Sequence, residues 1–215
     1  MDRKQFLSRA LVWGGVSTLG AALGAPAAAL ARARAQTTAL SSSTLSPDEI
    51  AGLYFMREEE KLAHDVYLAL YARWGTPVFD QIATSEADHT AAVLNLLNRY
   101  ALPDPAAALG PGVFQDALLQ GLYDGLMAQG AMSEIEALKV GALIEETDIR
   151  DIRERVLQTD EAAIRDVYDH LLCGSRNHLR AFDRQLRSRG VIYTPVVITL
   201  QEWDAIALSP IERCR

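Results

Sequence analysis

At 215 residues, with 49% apolar and 23% charged residues, the chain can form one domain with a sizeable core and has the balance of a soluble globular protein. Its formal charge is -7, and residues 1–35 carry Arg3, Lys4, Arg9, Arg32 and Arg34 against Asp2 alone, which leaves -11 on the remainder. A chain that acidic repels phosphates, which argues against nucleic acid as a partner. Cys173 and Cys214 lie far apart with no CxxC pair, which excludes a thiolate zinc knuckle or a rubredoxin-type iron site. One disulfide is allowed, and its formation is left open.

Residues 1–35 begin with basic residues, continue through an apolar stretch rich in Ala and Gly, and end in "ARA" before Gln36. That order predicts a secretory signal peptide with cleavage after Ala35, hence an exported, periplasmic or extracellular protein with no stable membrane insertion once the signal is removed. "DRKQFL" resembles the twin-arginine export motif, with Lys4 in place of the second arginine. Residues 36–45 predict a flexible linker, residues 46–206 a helical bundle and residues 207–215 a C-terminal tail.

Ser46-Pro47-Asp48-Glu49 predicts a helix start, and the helix should run to about Trp74 and stop at Gly75. A second helix is expected from Thr76-Pro77 to a point before Pro103. "FQDALLQGLYDGLMAQG" reads as a short amphipathic helix. Ser133 with Glu136 opens a third long helix to about Leu157, and a fourth should span about Asp160 to Arg189 and stop at Gly190. "TLQEWDAIAL" predicts a terminal helix, and "YTPVVITL" is a strand-like run that alone makes no sheet. The fold class is therefore all-α, a bundle of four long antiparallel helices with an extra short helix between the second and third.

Core faces of such helices recur at steps of three and four, and polar residues interrupt each of them near mid-length. Helix one gives Leu53, Met56, Glu60, Ala63, Tyr67 and Trp74, with Glu59 flanking. Helix two gives Phe79, Ile82, Glu86, His89, Val93 and Leu96; helix three gives Leu138, Ala142, Glu145, Ile149, Ile152 and Val156, while Glu146 points away. Helix four gives Ile164, Tyr168, Leu171, Ser175, His178 and Phe182. Ionised carboxylates crowded into a core are costly unless protons or metal ions neutralise them. Glu and neutral His suit iron, manganese or zinc, and Glu86-x-x-His89 places both side chains on one face. The remaining charges of "REEEK" at 57–61 read as a mostly solvated face, with Lys61 and Asp65 a weak surface pair. His64 and His170 read as packed or solvated rather than as ligands. Tyr168 reads as core packing.

These residues resemble the motif of the ferritin-like di-metal carboxylate superfamily: a Glu on helix one, Glu-x-x-His on helix two, a Glu on helix three and Glu-x-x-His on helix four. "EKLAHDVY" is similar to the rubrerythrin and ferritin pattern of Glu with Tyr seven later, which selects Glu60 and Tyr67. "EADH" supplies Glu86 and His89, "IEETDI" supplies Glu145 and "SRNH" supplies His178. "MREEEKLAHDVYLALY", "ALKVGALIEETDI" and "GSRNHLRAF" are also closely similar to domain-of-unknown-function family 2202, over roughly residues 46–206. That family has no assigned activity, so the resemblance implies a fold and a site more than a reaction.

Helix four departs from the motif by carrying Ser175 where Glu is expected. Glu60, Glu86 and Glu145 alone then bring three negative charges to a site meant for two divalent ions. Glu59, Asp148 or a bridging hydroxide can supply the difference, or the site holds one ion. The expectation is a metal set of Glu60, Glu86, His89, Glu145 and His178, with Glu86 or Glu145 bridging and Glu59, Asp148, Ser175 and Tyr67 as alternative ligands or supporting groups. The resemblance implies iron or manganese and oxidation–reduction with dioxygen or peroxide as the small-molecule oxidant. Other readings are a non-enzymatic metal-binding or storage protein, a metal-free structural module, and a hydroxylase with a reductase partner.

Overall fold

The protein is described by a computed structural model that covers residues 45–214 in six helices, with no strand among the described residues. The helices are α1 (Pro47–Trp74), α2 (Pro77–Arg99), α3 (Ala117–Gly130), α4 (Glu134–Val156), α5 (Ala162–Ser188) and α6 (Leu200–Ala207). The export signal expected over 1–35, and all of the linker except Leu45, lie outside the described residues. No helix among the described residues is long and apolar enough to cross a membrane.

Local signals set the helix ends. The Ser46 hydroxyl accepts from the Glu49 N–H and the Glu49 carboxylate accepts from the Ser46 N–H, closing the expected capping box. α1 stops at Gly75 (φ 66°), a left-handed position that a Cβ would strain, and Pro77 starts α2 two residues later. Ser133 caps α4 by accepting from the Glu136 N–H. The strand-like "YTPVVITL" is instead an irregular segment leading into α6.

The four long helices close a ring in which α1 packs on α2 and α4, and α5 packs on α4 and α2. Glu49 and Gly52 at the start of α1 meet Thr159, Arg155 and Tyr168, whereas Trp74 and Thr76 beyond its end meet Gly130 and Glu134. Each neighbouring pair is therefore antiparallel. Residues 100–133, which include α3, carry the chain back along the bundle from the end of α2 to the start of α4.

Two apolar clusters fill the interior. One contains Tyr67, Phe79, Ala142, Leu179 and Phe182; the other contains Leu53, Met56, Val93, Leu97, Ile152, Tyr168 and Leu171. Between them on every long helix sits a polar position: Glu60, Glu86 with His89, Glu145, and Ser175 with His178. The core is thus split by a buried polar layer at mid-height.

The outer side of α1 corrects the expectation of a solvated "REEEK" face. Every residue from Met56 to Ala63 is buried, as is Asp65. The cause is the returning crossover, which lies against this face. Arg57 pairs with Asp104 at 3.0 Å, and Glu58 accepts from the backbone N–H groups of Gln115 and Asp116. Lys61 donates to Asp65 at 2.5 Å and to the carbonyls of Gly110 and Val113, and Asp65 accepts from the Gly112 N–H. The Lys61–Asp65 pair is therefore part of a buried clamp, where removing one partner costs more than at a surface.

The C-terminal residues fasten onto α5. Cys173 and Cys214 form a disulfide with Cα atoms 5.6 Å apart. Glu212 receives Arg176 and Arg180, and its backbone N–H and C=O pair with the Asn177 amide. These arginines hold the Glu212 carboxyl down at about 2.

Candidate metal centre

The polar layer brings together residues from four helices. α1 supplies Glu60, α2 supplies Glu86 and His89, α4 supplies Glu145, and α5 supplies His178. All five are buried, from 1% exposure at Glu60 to 7% at His178. His89 Nδ1 lies 3.2 Å from Glu60 Oε2 and 2.9 Å from Glu86 Oε2. His178 Nδ1 lies 2.8 Å from Glu86 Oε1 and 3.4 Å from Glu145 Oε2. Their ligand atoms make two groups, Glu60–Glu86–His89 and Glu86–Glu145–His178, each spanning no more than 4.8 Å and each able to hold a metal ion. Glu86 belongs to both, one oxygen facing each histidine. Glu145 belongs to only one group, so the geometry favours Glu86 over Glu145 as the shared carboxylate.

Several atoms in this layer have no hydrogen-bond partner: Glu60 Oε1, Glu59 Oε2, Asp148 Oδ1 and His178 Nδ1. His178 Nδ1 is close to two carboxylates, but neither lies along a hydrogen-bond direction. Buried polar atoms are seldom left so, and a converging set of them is a place for a cation.

The electrostatics agree. Burial pushes the Glu60 carboxyl up to about 7 against the pull of His89. Burial acts on Glu86 in the same direction, yet His89 and His178 on either side hold it well below the ordinary carboxylate range. Burial would lower both histidines, but Glu86 and its neighbours raise His89 well above its usual value and His178 to about 10. Burial also raises Glu145, and His178 partly offsets it. Without a cation the layer holds itself together by keeping protons on its histidines and some of its acids.

The supporting groups are distinct. Tyr67 donates to Glu145 Oε1 at 2.5 Å, and burial with the charges of Glu145 and Glu86 keeps its phenol protonated well above its usual range. Ser175 hydrogen-bonds Asp148 Oδ2 and lies 2.9 Å from the Leu171 carbonyl. Glu59 is buried but is raised, after burial itself, first by Asp151 and then by Asp148. His64 stands apart with Asp65, and His170 is half-buried with its ring 6.0 Å from that of His89. Tyr168 packs in the apolar cluster of Leu53, Met56 and Ile152.

Two contributors were not read from the sequence. Ser85, the first residue of "SEADH", sits 2.9 Å from His178 Nε2 and fixes that ring from behind. Gly174 lets His89 fit: a Cβ there would lie 2.4 Å from its Nε2 and 2.5 Å from its Cε1. A glycine inside a helical pattern is itself a signal of close packing. Gly174→Ala should force the His89 ring out of line with Glu60 and Glu86 and destabilise the chain by about 1–3 kcal/mol. Urea unfolding measures this, and a native midpoint would mean the ring has room to spare.

Residues 49–210 match the family described as "Uncharacterized protein domain (DUF2202)". The uncharacterised protein MJ0754 of Methanocaldococcus jannaschii is 46% identical over 176 residues, which are 82% of this chain and 95% of that protein. The crystal structure of the same hypothetical protein superposes with a TM-score of 0.77, covering 78% of this chain and 96% of that one.

Proposed function

Since the chain belongs to the DUF2202 family of uncharacterised domains, its role must be read from its own centre, and we propose that it is an exported ferritin-like protein holding iron or manganese between its four long helices for redox chemistry with dioxygen or peroxide. The observation that carries the reading is the pair of Glu/His groups sharing Glu86, shut away from water and rich in unpartnered ligand atoms. The donors fit the group. They are carboxylate oxygens and imidazole nitrogens without thiolate, a set suited to iron and manganese.

Each residue then has a task. Glu86 would serve both ions, with Glu60 and His89 holding one and Glu145 and His178 the other. Both histidines face the centre through Nδ1. Ser85 accepts from His178 Nε2–H, which leaves Nδ1 free as a neutral ligand. Tyr67 donates to Glu145, orients that carboxylate and places an oxidisable phenol beside the centre. A bound iron or manganese supplies electron exchange with the small oxidant. The apolar clusters above and below exclude bulk water. The basic, Ala-rich start of the chain and the Cys173–Cys214 disulfide both favour export to an oxidising compartment.

Elemental analysis of the full chain expressed with iron and manganese supplements, beside Glu86→Ala, tests the centre. The native chain should retain metal through dialysis, and the variant should lose most of it. Equal metal in both overturns the site. Faster consumption of hydrogen peroxide by the metal-loaded chain than by the variant tests the redox part.

A further inference from the structure

Resting on the metal-binding reading above, we infer that Asp148 is the carboxylate that completes the centre for two cations, standing in from α4 for the side chain that Ser175 on α5 cannot supply. Three observations carry it. The first is charge: Glu60, Glu86 and Glu145 leave two divalent cations with an uncompensated positive charge in a buried layer, which is unfavourable without a further anion. The second is placement. Asp148 lies one turn beyond Glu145 on α4, so both project to the same side. It is 7% exposed, Oδ2 is taken by the Ser175 hydroxyl and Oδ1 has no partner. The third is the environment of the carboxyl. After burial, the charges that act on it most are those of Glu60, Glu145 and Glu86, the three carboxylates of the centre.

Ser175 explains why the carboxylate comes from α4. It lies three residues before His178, fully buried, and its hydroxyl already meets Asp148 and the Leu171 carbonyl. A hydroxyl has one proton to give, so Ser175 serves as a tether that fixes the Asp148 rotamer and leaves Oδ1 turned free. Glu59, the other buried acid nearby, is not equivalent. Asp151 acts on it before Asp148 does, and Asp151 is itself paired with Arg150. Glu59 also sits about 100° around α1 from Glu60, whereas Asp148 follows Glu145 by about one turn.

The test counts ions and reads their coupling in the full chain titrated with Mn(II). The native chain should take up two ions and show the paramagnetic resonance spectrum of an exchange-coupled pair. Asp148→Asn, nearly isosteric, should keep one ion, weaken the other about tenfold or more and show isolated Mn(II). Moving the carboxylate back to α5, as Asp148→Ala with Ser175→Glu, should restore the coupled pair. Unfolding in chelator establishes that each variant is folded. A coupled pair in Asp148→Asn with native affinity overturns the role of Asp148 and leaves the metal centre standing. A native chain that binds no Mn(II), or binds it equally after Glu86→Ala, overturns both.

Discussion

Glu146→Gln should destabilise the protein by about 3–5 kcal/mol, on the order of a 10 °C fall in the thermal midpoint for a chain of this size. Glu146 is fully buried, next to Glu145 in sequence but turned toward residues 193–198 rather than into the polar layer. Its carboxylate accepts from the backbone N–H groups of Val196, Val197 and Ile198 and from the Tyr193 hydroxyl. One anion thus satisfies four donors of a segment that has no ladder or helix to pair with. A glutamine has one acceptor oxygen and turns its NH2 group toward donors, which leaves N–H groups of this segment, the buried one of Ile198 among them, unmatched. Hydrogen exchange at residues 196–198 should quicken by far more than elsewhere. A midpoint within about 2 °C of native would show that the segment does not depend on this carboxylate.

The second large effect is a reversal of pH dependence by metal. In chelator, the protein should lose stability as pH rises from about 6 toward 10. Glu60 is raised from 4.5 to about 7 and His178 from 6.5 to about 10, with Asp148 and His89 also raised. Each binds its proton more tightly folded than unfolded. Its contribution is complete below the unfolded value and is lost as pH climbs through the folded one. Glu86, which is lowered, works in the opposite sense, but only as pH falls below its ordinary 4.5. Metal ions displace these protons, so their apparent affinity rises over the same window. At one hundred times its dissociation constant an ion adds about 2.7 kcal/mol. Melting curves at about pH 6, 7.5 and 9, with chelator and with Mn(II), measure both slopes. A flat or rising stability in chelator would contradict the proton-sharing layer.

The fold was legible because its punctuation is local. Ser46, Gly75, Pro77 and Ser133 set helix ends through their own backbone and side-chain chemistry, and the positions where polar residues interrupt the apolar stripes sit on the same level of the bundle. Glu60, Glu86, His89, Glu145 and His178 could be picked out by periodicity, since each falls on a core stripe. What periodicity could not show is anything set by the crossover or the C-terminal segments. Whether Arg57, Glu58, Lys61 and Asp65 meet water depends on where residues 104–116 settle, and nothing in α1 itself records that. The same holds for Glu146, whose partners lie fifty residues on, and for the disulfide. Gly174 and Ser85 act through close approach, which a pattern of residue types does not measure.

α1 has consequences for how the molecule comes to exist. Partners along its length lie far downstream: Thr159 for Glu49, Gln115 for Glu58, Glu145 for Tyr67. During synthesis on the ribosome, α1 and α2 emerge first as a hairpin in which Glu60 already has His89 opposite it, while Glu49, Glu58 and Tyr67 still lack their partners. That hairpin cannot become native by itself, and maturation must wait until the last long helix has left the tunnel.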